Sequence, residues 1–436
     1  MSEITIGFSI LAGIVLLISL GFPIALALIT ASFVGIWLLM GFDIAWNSLG
    51  VLPYNFSSSW VLASIPMFLL MGYICYYAEL TQGLFRAAGM WLAKVPGGLA
   101  IAAVFGSAGF AAVSGSSVAC SAAMGKIAIP EMIKHKYSPE LATGTVAVSG
   151  TIGALIPPSI ILILYGIIAQ ESISKLFLAG ISVGAITALG YILVILIRVK
   201  LNPSIAPSTS VSFSREEKLK SLLDIWPIAV IMLSIFAGLF GGVFTPTEAG
   251  AAGAFLSFVV AIGKRSLSFG NLKRALFDTL VTTASLIFIA IGASLLTRFL
   301  VLSGTGEFIQ SSIVGSGVSI PVLILGVVVV YLLLGMFLEP VGAMLLTLPI
   351  ILPVMGDYGI SLLWFGVFLT KLLEIGMVTP PIGMNVFVVK SVVGNLASTS
   401  MVFRGIFWFL VMDLFILLFI ALFPGVVTFL PTLMSG

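Results

Sequence analysis

The sequence predicts an all-α polytopic membrane protein made of two inverted repeats, each with five crossings, one re-entrant hairpin and one Pro-Pro-broken helix. Three observations predict it. Of 436 residues, 60% are hydrophobic and only 8% are charged, with a mean hydropathy of +1.26, more apolar surface than a soluble core can bury. One phrase occurs twice: Gly153 to Tyr165 reads GALIPPSIILILY, and Gly376 to Val388 reads GMVTPPIGMNVFV. Finally, Pro157 to Pro380 and Pro158 to Pro381 are separated by 223 residues, as are Pro23 to Pro246 and Pro130 to Pro353. Composition alone supplies roughly half a proline coincidence at any one offset, so four indicate an internal duplication.

Each Pro-Pro pair interrupts a helix, because proline lacks an N–H and pushes the preceding residue away from helical geometry. The carbonyls of Gly153 and Ala154, and of Gly376 and Met377, are expected to lose their helical partners. In hydrocarbon such oxygens must face a protein cavity or a bound ion. Half-helix ends at membrane depth offer oxygens to cations and a positive dipole end to anions.

The first repeat is expected over residues 1–198. Spans at 4–20 and 22–40 precede an interfacial arm at 43–58, rich in aromatic residues and free of Lys and Arg. A span at 60–79 leads into a loop with Arg86 and Lys94. Residues 98–133 then form a stretch of 36 residues with Ser114 to Ser117 at the middle. One helix of that length would be roughly 54 Å long against a hydrocarbon core of ~30 Å, so a re-entrant hairpin is predicted. The broken helix at 140–170 and a span at 175–197 complete the half.

Residues 199–221 form a polar linker with Lys200, Arg215, Lys218 and Lys220. The second repeat, 222–436, follows with spans at 225–242 and 246–263, an arm at 266–278, a span at 279–301 and a loop at 302–318. A hairpin at 319–355 turns at Leu338 to Gly342, the broken helix lies at 361–393, and a last span at 404–424. Thr245 and Glu248 read as a helix cap with an acid in the first turn. Five crossings per half is odd, so the second copy enters from the opposite side. Loop cations then put the linker in the cytoplasm and both termini in the periplasm.

Composition also excludes classes. The N-terminus has no basic region, so the first apolar stretch is expected to stay as a span. Cys75 and Cys120 lie in apolar stretches and are not expected to pair. One histidine, His135, and two isolated cysteines make no metal cluster. An intramembrane enzyme would need an acid pair, a nucleophile–base set or a metal, and none is legible. Nothing indicates nucleic-acid binding or an organic cofactor. A purely structural subunit leaves the two Pro-Pro breaks unexplained.

Four stretches together carry a family resemblance: GSAGFAAVSGSSVACSAAMGKIAIPEM from Gly106, SGTIGALIPPSI with LYG after it, FTPTEAG from Phe244, and the second Pro-Pro phrase. The chain resembles, end to end, the large membrane subunit of tripartite ATP-independent periplasmic (TRAP) transporters. The resemblance implies a sodium-coupled, elevator-type importer of an organic anion in the bacterial inner membrane. It implies two partners, a periplasmic substrate-binding protein and a small four-span membrane subunit. Because the chain starts directly on the large-subunit pattern, that subunit is expected as a separate polypeptide. A self-sufficient divalent-anion/sodium symporter is the rival, but its hairpin tips typically read Ser-Asn-Thr rather than SGSS and LEPVG.

The candidate site residues follow. Ser114, Ser116 and Ser117 are small enough to serve only close helix packing; at a hairpin tip facing a broken helix they are read as ligands. A first sodium site is assigned to Ser116, Ser117, Thr151, Gly153 and Ile156. By the repeat, a second is assigned to Glu339, Gly342, Gly376 and Thr379. Substrate contacts are assigned to Ser114, Ser116, Ser159, Arg298, Glu339 and Asn385. Glu339 is an acid at membrane depth, where acids face cavities or partners. Arg298, taken alone, snorkels to the interface; the resemblance makes it the partner of a substrate carboxylate. Asn385 lines the site or bonds a neighbouring helix. Lys371 and Glu374 are expected to pair with each other on one helix face.

Overall fold

The structure is a computed structural model, and it describes residues 2–207 and 213–434. Among these residues every regular element is a helix. Seven helices are long and apolar enough to cross a membrane, or eight if the bent pair Arg215–Leu223 and Trp226–Phe240 counts as one span. Five of the ten expected crossings are among the seven. The others are the 17-residue helices Glu3–Ser19 and Ile24–Met40, the bent pair, and the two broken helices.

Helix bounds recur at the proline offset. Shifted by 223 residues, Ile24–Met40 falls on Pro246–Gly263, and Ile160–Ala169 falls on Met384–Val393. The hairpin helices Gly98–Ser114 and Ser117–Lys134 fall on Ile320–Phe337 and Pro340–Asp357. Both Pro-Pro bonds are cis. Ile320–Phe337 and Pro340–Asp357 each also satisfy the length and hydropathy of a full crossing.

Three expectations need correction. The arm at 266–278 and the span at 279–301 are one helix, Phe269–Leu302, 34 residues long. No proline interrupts it, so the hydrogen-bond ladder runs on; the matching segment of the first half contains Pro53 and ends at Ser57. The stretches read as loops around Arg86 and at 302–318 contain the helices Gln82–Trp91 and Thr305–Gly315. The linker contains Arg215–Leu223, opened by a capping box in which Ser214 and Glu217 satisfy each other's backbone N–H. Residues 208–212 of that linker lie outside the described residues. The predicted Thr245 cap is present, with Glu248 completing another capping box.

The carbonyls at the two breaks also differ. The first broken helix runs Pro139–Ser149, then a 3-10 turn at Gly150–Ala154, then Ile160–Ala169. No backbone N–H reaches the Gly153 or Ala154 carbonyl among the described residues. In the second, Leu362–Gly376 and Met384–Val393, the expected loss does not occur. The Thr379 N–H donates to the Gly376 carbonyl at 3.1 Å, and the Asn385 N–H to the Met377 carbonyl at 3.0 Å. The chain after Pro381 turns back far enough for Asn385 to replace the missing proline donors.

The first hairpin tip seats directly on the first break. Gly115 has φ +60°, and a methyl group there would run into the Pro158 carbonyl. Gly304 has nearly the same backbone, φ +65°, with open space around it. Forcing a side chain into the left-handed region costs about 1–2 kcal/mol. Gly304→Ala is therefore expected to lose about that much stability, and Gly115→Ala clearly more, because only there must backbone move as well. Thermal unfolding of the two purified variants tests this, and equal shifts would reject the close approach.

Candidate functional site

The two hairpin tips and the two breaks meet around one cavity of about 360 Å³. Ser114, Gly115, Ser116 and Ser117 line it from the first tip, and Glu339, Pro340 and Val341 from the second. Ala154, Met377 and Met384 come from the ends of the broken helices. The opposite wall is polar and aromatic. Tyr73, Tyr76 and Tyr77 of Ser64–Tyr77 face Asp278 and Thr282 of the long helix. The Tyr77 hydroxyl donates to Asp278 Oδ2 at 2.5 Å, and the Tyr73 hydroxyl lies 2.9 Å from Thr282 Oγ1. A second cavity of about 340 Å³ beside Arg86, Glu131 and His135 touches none of the predicted site residues.

Among the described residues three carboxyl groups line the central cavity, on Asp278, Glu339 and Glu374, and no Lys, Arg or His does so. Glu374 is fully buried. Its Oε1 accepts from Ser117 Oγ at 3.2 Å, whereas Oε2 has no hydrogen-bond partner among the described residues. The Ser114 hydroxyl is likewise buried and unpartnered. Buried polar atoms are nearly always paired, so these oxygens are set up to meet something outside the chain.

Of the predicted residues, Ser114, Ser116, Ser117 and Glu339 are brought together at this cavity. Gly153 sits against the Ser116 backbone. Thr151 and Ser159 are buried near the break, with Ser159 Oγ capping Ile160–Ala169 through the Leu162 N–H. Ile156 is half-buried. In the second half, Gly376 packs backbone to backbone on Gly335, Gly342 lies under Ile24, and Thr379 Oγ1 donates to the Ile375 carbonyl at 2.6 Å. Asn385 is fully buried, with neither amide atom partnered. Arg298 is outside the cavity wall, exposed near the end of Phe269–Leu302, and makes no ion pair among the described residues.

The expected Lys371–Glu374 pair is not formed. Lys371 Nζ instead meets Asp413 Oδ1 at 2.6 Å, both side chains being 0–1% exposed. Tyr191 donates to Asp413 at 2.9 and 3.0 Å, and its hydroxyl lies 3.2 Å from Thr151 Oγ1. Helical spacing made Glu374 a neighbour, but the neutralising partner comes from another helix, Thr399–Leu422. Asp413 was legible as a lone acid in that apolar helix, a position that usually signals a buried partner. The tyrosine wall carried no comparable signal.

A family model for "Tripartite ATP-independent periplasmic transporter, DctM component" matches residues 11–426. The chain belongs to this family. It is 32% identical over 386 residues to the "C4-dicarboxylate TRAP transporter large permease protein DctM" of Pseudomonas aeruginosa, covering 88% of this chain and 89% of that one. It is 29% identical to the "Sialic acid TRAP transporter large permease protein SiaM" of Vibrio cholerae, covering 95% and 96%. Among solved structures, the YdaH transporter of Alcanivorax borkumensis matches with a TM-score of 0.63 at 15% identity, over 88% of this chain and 89% of that one; that likeness concerns the fold. This TRAP large permease is thus a multi-span membrane transporter component and not an enzyme.

The buried ion pair gives a stability test. Removing one partner of such a pair strands the other charge and costs about 3–5 kcal/mol, whereas replacing both by apolar residues of similar size is often neutral. Lys371→Met is expected to destabilise the protein on that scale, and Lys371→Met with Asp413→Leu to recover most of the loss in thermal unfolding.

Proposed function

We propose that this TRAP permease imports an organic anion bearing a carboxylate, coupled to sodium, through elevator-type movement of the two hairpins and two broken helices. The supporting observation is the lining of the cavity: among the described residues three carboxyl groups and no basic side chain face it, so an anionic substrate finds no counter-charge there and cations that enter with it would supply one. Small hard cations take oxygen ligands, and the Ser114–Ser117 tip, the uncapped Gly153 and Ala154 carbonyls and Glu374 supply them. The first sodium site would use Ser116, Ser117, Thr151, Gly153 and Ile156. A second would use Glu339, Gly342, Gly376 and Thr379. The carboxylate class is supported by relatives named for C4-dicarboxylates, sialic acid and 2,3-diketo-L-gulonate.

In this reading residues 1–198 and 222–436 are inverted copies, with the hairpins re-entrant, the linker cytoplasmic and both termini periplasmic in the inner membrane. Substrate arrives from a periplasmic binding protein, and a separate four-span subunit widens the scaffold. Purified and reconstituted by itself, the chain is expected to show little uptake. Adding the small subunit and loaded binding protein under an inward sodium gradient is expected to restore it. Robust uptake by the lone chain would favour the self-sufficient symporter, and uptake unchanged in potassium would end the sodium reading.

Arg298 is proposed as the substrate carboxylate's partner, the role the family resemblance implies; its side chain is exposed and makes no ion pair among the described residues. Snorkelling tolerates lysine, but bidentate binding of a carboxylate does not. Both Arg298→Lys and Arg298→Ala are expected to lower uptake about 30-fold or more, with assembly preserved. Wild-type-like uptake by Arg298→Lys would return the residue to the membrane interface.

A further inference from the structure

Among the described residues no basic side chain lines the central cavity, yet one stands directly beside it. Lys126 lies in Ser117–Lys134, the second helix of the first hairpin. Its Nζ donates to the Tyr76 hydroxyl at 3.2 Å and lies 5.8 Å from the centre of that ring. Tyr76 is part of the cavity wall. An ammonium carries three hydrogens, and Tyr76 is its one acceptor among the described residues. No ion pair forms there: Glu131 of the same helix is taken by Lys134 and His135, and Asp278, on the wall with Tyr76, accepts from Tyr77 instead.

Helix geometry directs this side chain along the cavity. Ala119 and Ala122 line it, and Lys126 follows them after steps of three and four residues. That spacing puts the three on one helix face. Exposure rises along the face away from the tip, with Ala119 and Ala122 half-buried and Lys126 and Pro130 exposed. Lys126 thus stands about 6 Å, one turn, beyond the lining, on a flexible four-carbon stem. Arg298 has no such access. It lies 12 residues past Leu286, the last residue of its helix on the cavity wall, roughly 18 Å further along the axis.

We propose that Lys126 is a substrate-binding residue, whose ammonium leaves Tyr76 and pairs with the carboxylate of the transported acid at the mouth of the cavity. The inference rests on the reading of this chain as an organic-anion importer, and it supplies the fixed counter-charge that the lining lacks. The exchange of partners is favourable because an ionised acceptor makes a shorter and stronger hydrogen bond than a neutral hydroxyl. A lysine on a membrane helix ordinarily snorkels, extending toward water at the helix end. This one bonds to a side chain of the cavity wall.

The test uses proteoliposomes holding this chain and its small subunit, with the binding protein outside and an inward sodium gradient. Succinate, sialic acid and 2,3-diketo-L-gulonate serve as probes, after the acids for which relatives are named. Lys126→Met keeps the stem and removes the charge. It is expected to lower uptake of whichever acid wild type carries about tenfold, the scale of one hydrogen bond to a charged group, whereas Lys126→Arg keeps most of it. In a Cys75→Ser, Cys120→Ser background, Lys126→Cys is expected to react with a neutral maleimide more slowly when that acid is added with sodium than with sodium chloride alone. Wild-type-like uptake by Lys126→Met would overturn the proposal. So would a loss of uptake without protection of Lys126→Cys, which would make the ammonium a strut against Tyr76 and not a substrate ligand. No uptake of any of the three acids by wild type would overturn the carboxylate reading itself, and this inference with it. Should Lys126→Met fail to assemble, Lys126→Cys before and after aminoethylation supplies the same comparison: uptake is expected to return with the restored ammonium, and its failure to return would equally overturn the proposal.

Discussion

A backbone that stops hydrogen-bonding to itself inside a membrane must be covered by protein or used. The two Pro-Pro pairs impose that condition, and the surrounding architecture answers it. Each break has a hairpin packed on it, and the contact is made where side chains are smallest. Gly115 lets the first tip reach the Pro158 carbonyl, and Gly335 lets the second hairpin lie against Gly376. With no Cβ, main chain approaches main chain, and the interrupted helix ends are shielded from lipid. The cavity exists because these four elements converge on one place.

The two halves are alike in outline and different in chemistry. In the first, hydroxyl groups cluster at the tip and the carbonyls of Gly153 and Ala154 remain without N–H donors. In the second, Thr379 and Asn385 have taken the freed carbonyls, while the tip contributes a carboxylate, Glu339, in place of serines. The two halves thus present one neutral, carbonyl-rich face and one carboxyl-bearing face. Both offer oxygens to cations, and among the described residues neither offers a basic group to an anion.

Charge is distributed with the same economy. Within the described residues, the buried cation Lys371 is matched by Asp413, so the Glu374 carboxyl beside the cavity has no ion-pair partner. A buried carboxyl carries charge only at high cost unless something pairs with it, which suits a group expected to meet an arriving cation. Lys126 is not part of the lining, though its Nζ lies 3.2 Å from the hydroxyl of the wall residue Tyr76.

The membrane class, the breaks and the tips were legible along the chain, because each is a local property: hydropathy or a missing N–H. The tip residues Ser114, Ser116, Ser117 and Glu339 could be placed at one site because a repeat and a hairpin are enough to bring them together. Continuity of the helix Phe269–Leu302 was missed because a charged, half-exposed arm and an apolar span look separate when nothing shows that the ladder between them is unbroken. Lys371 was misassigned for a related reason. Helical spacing names the neighbours on the same helix, but Asp413 is 42 residues further along and meets it only through packing. The same holds for Asp278 and the tyrosines of the cavity wall, about 200 residues apart. By itself the sequence determined where the backbone must break and which side chains stand beside the break. The tertiary structure decided which charges meet and which oxygens stay free, since those depend on distances between helices that no period along one chain encodes.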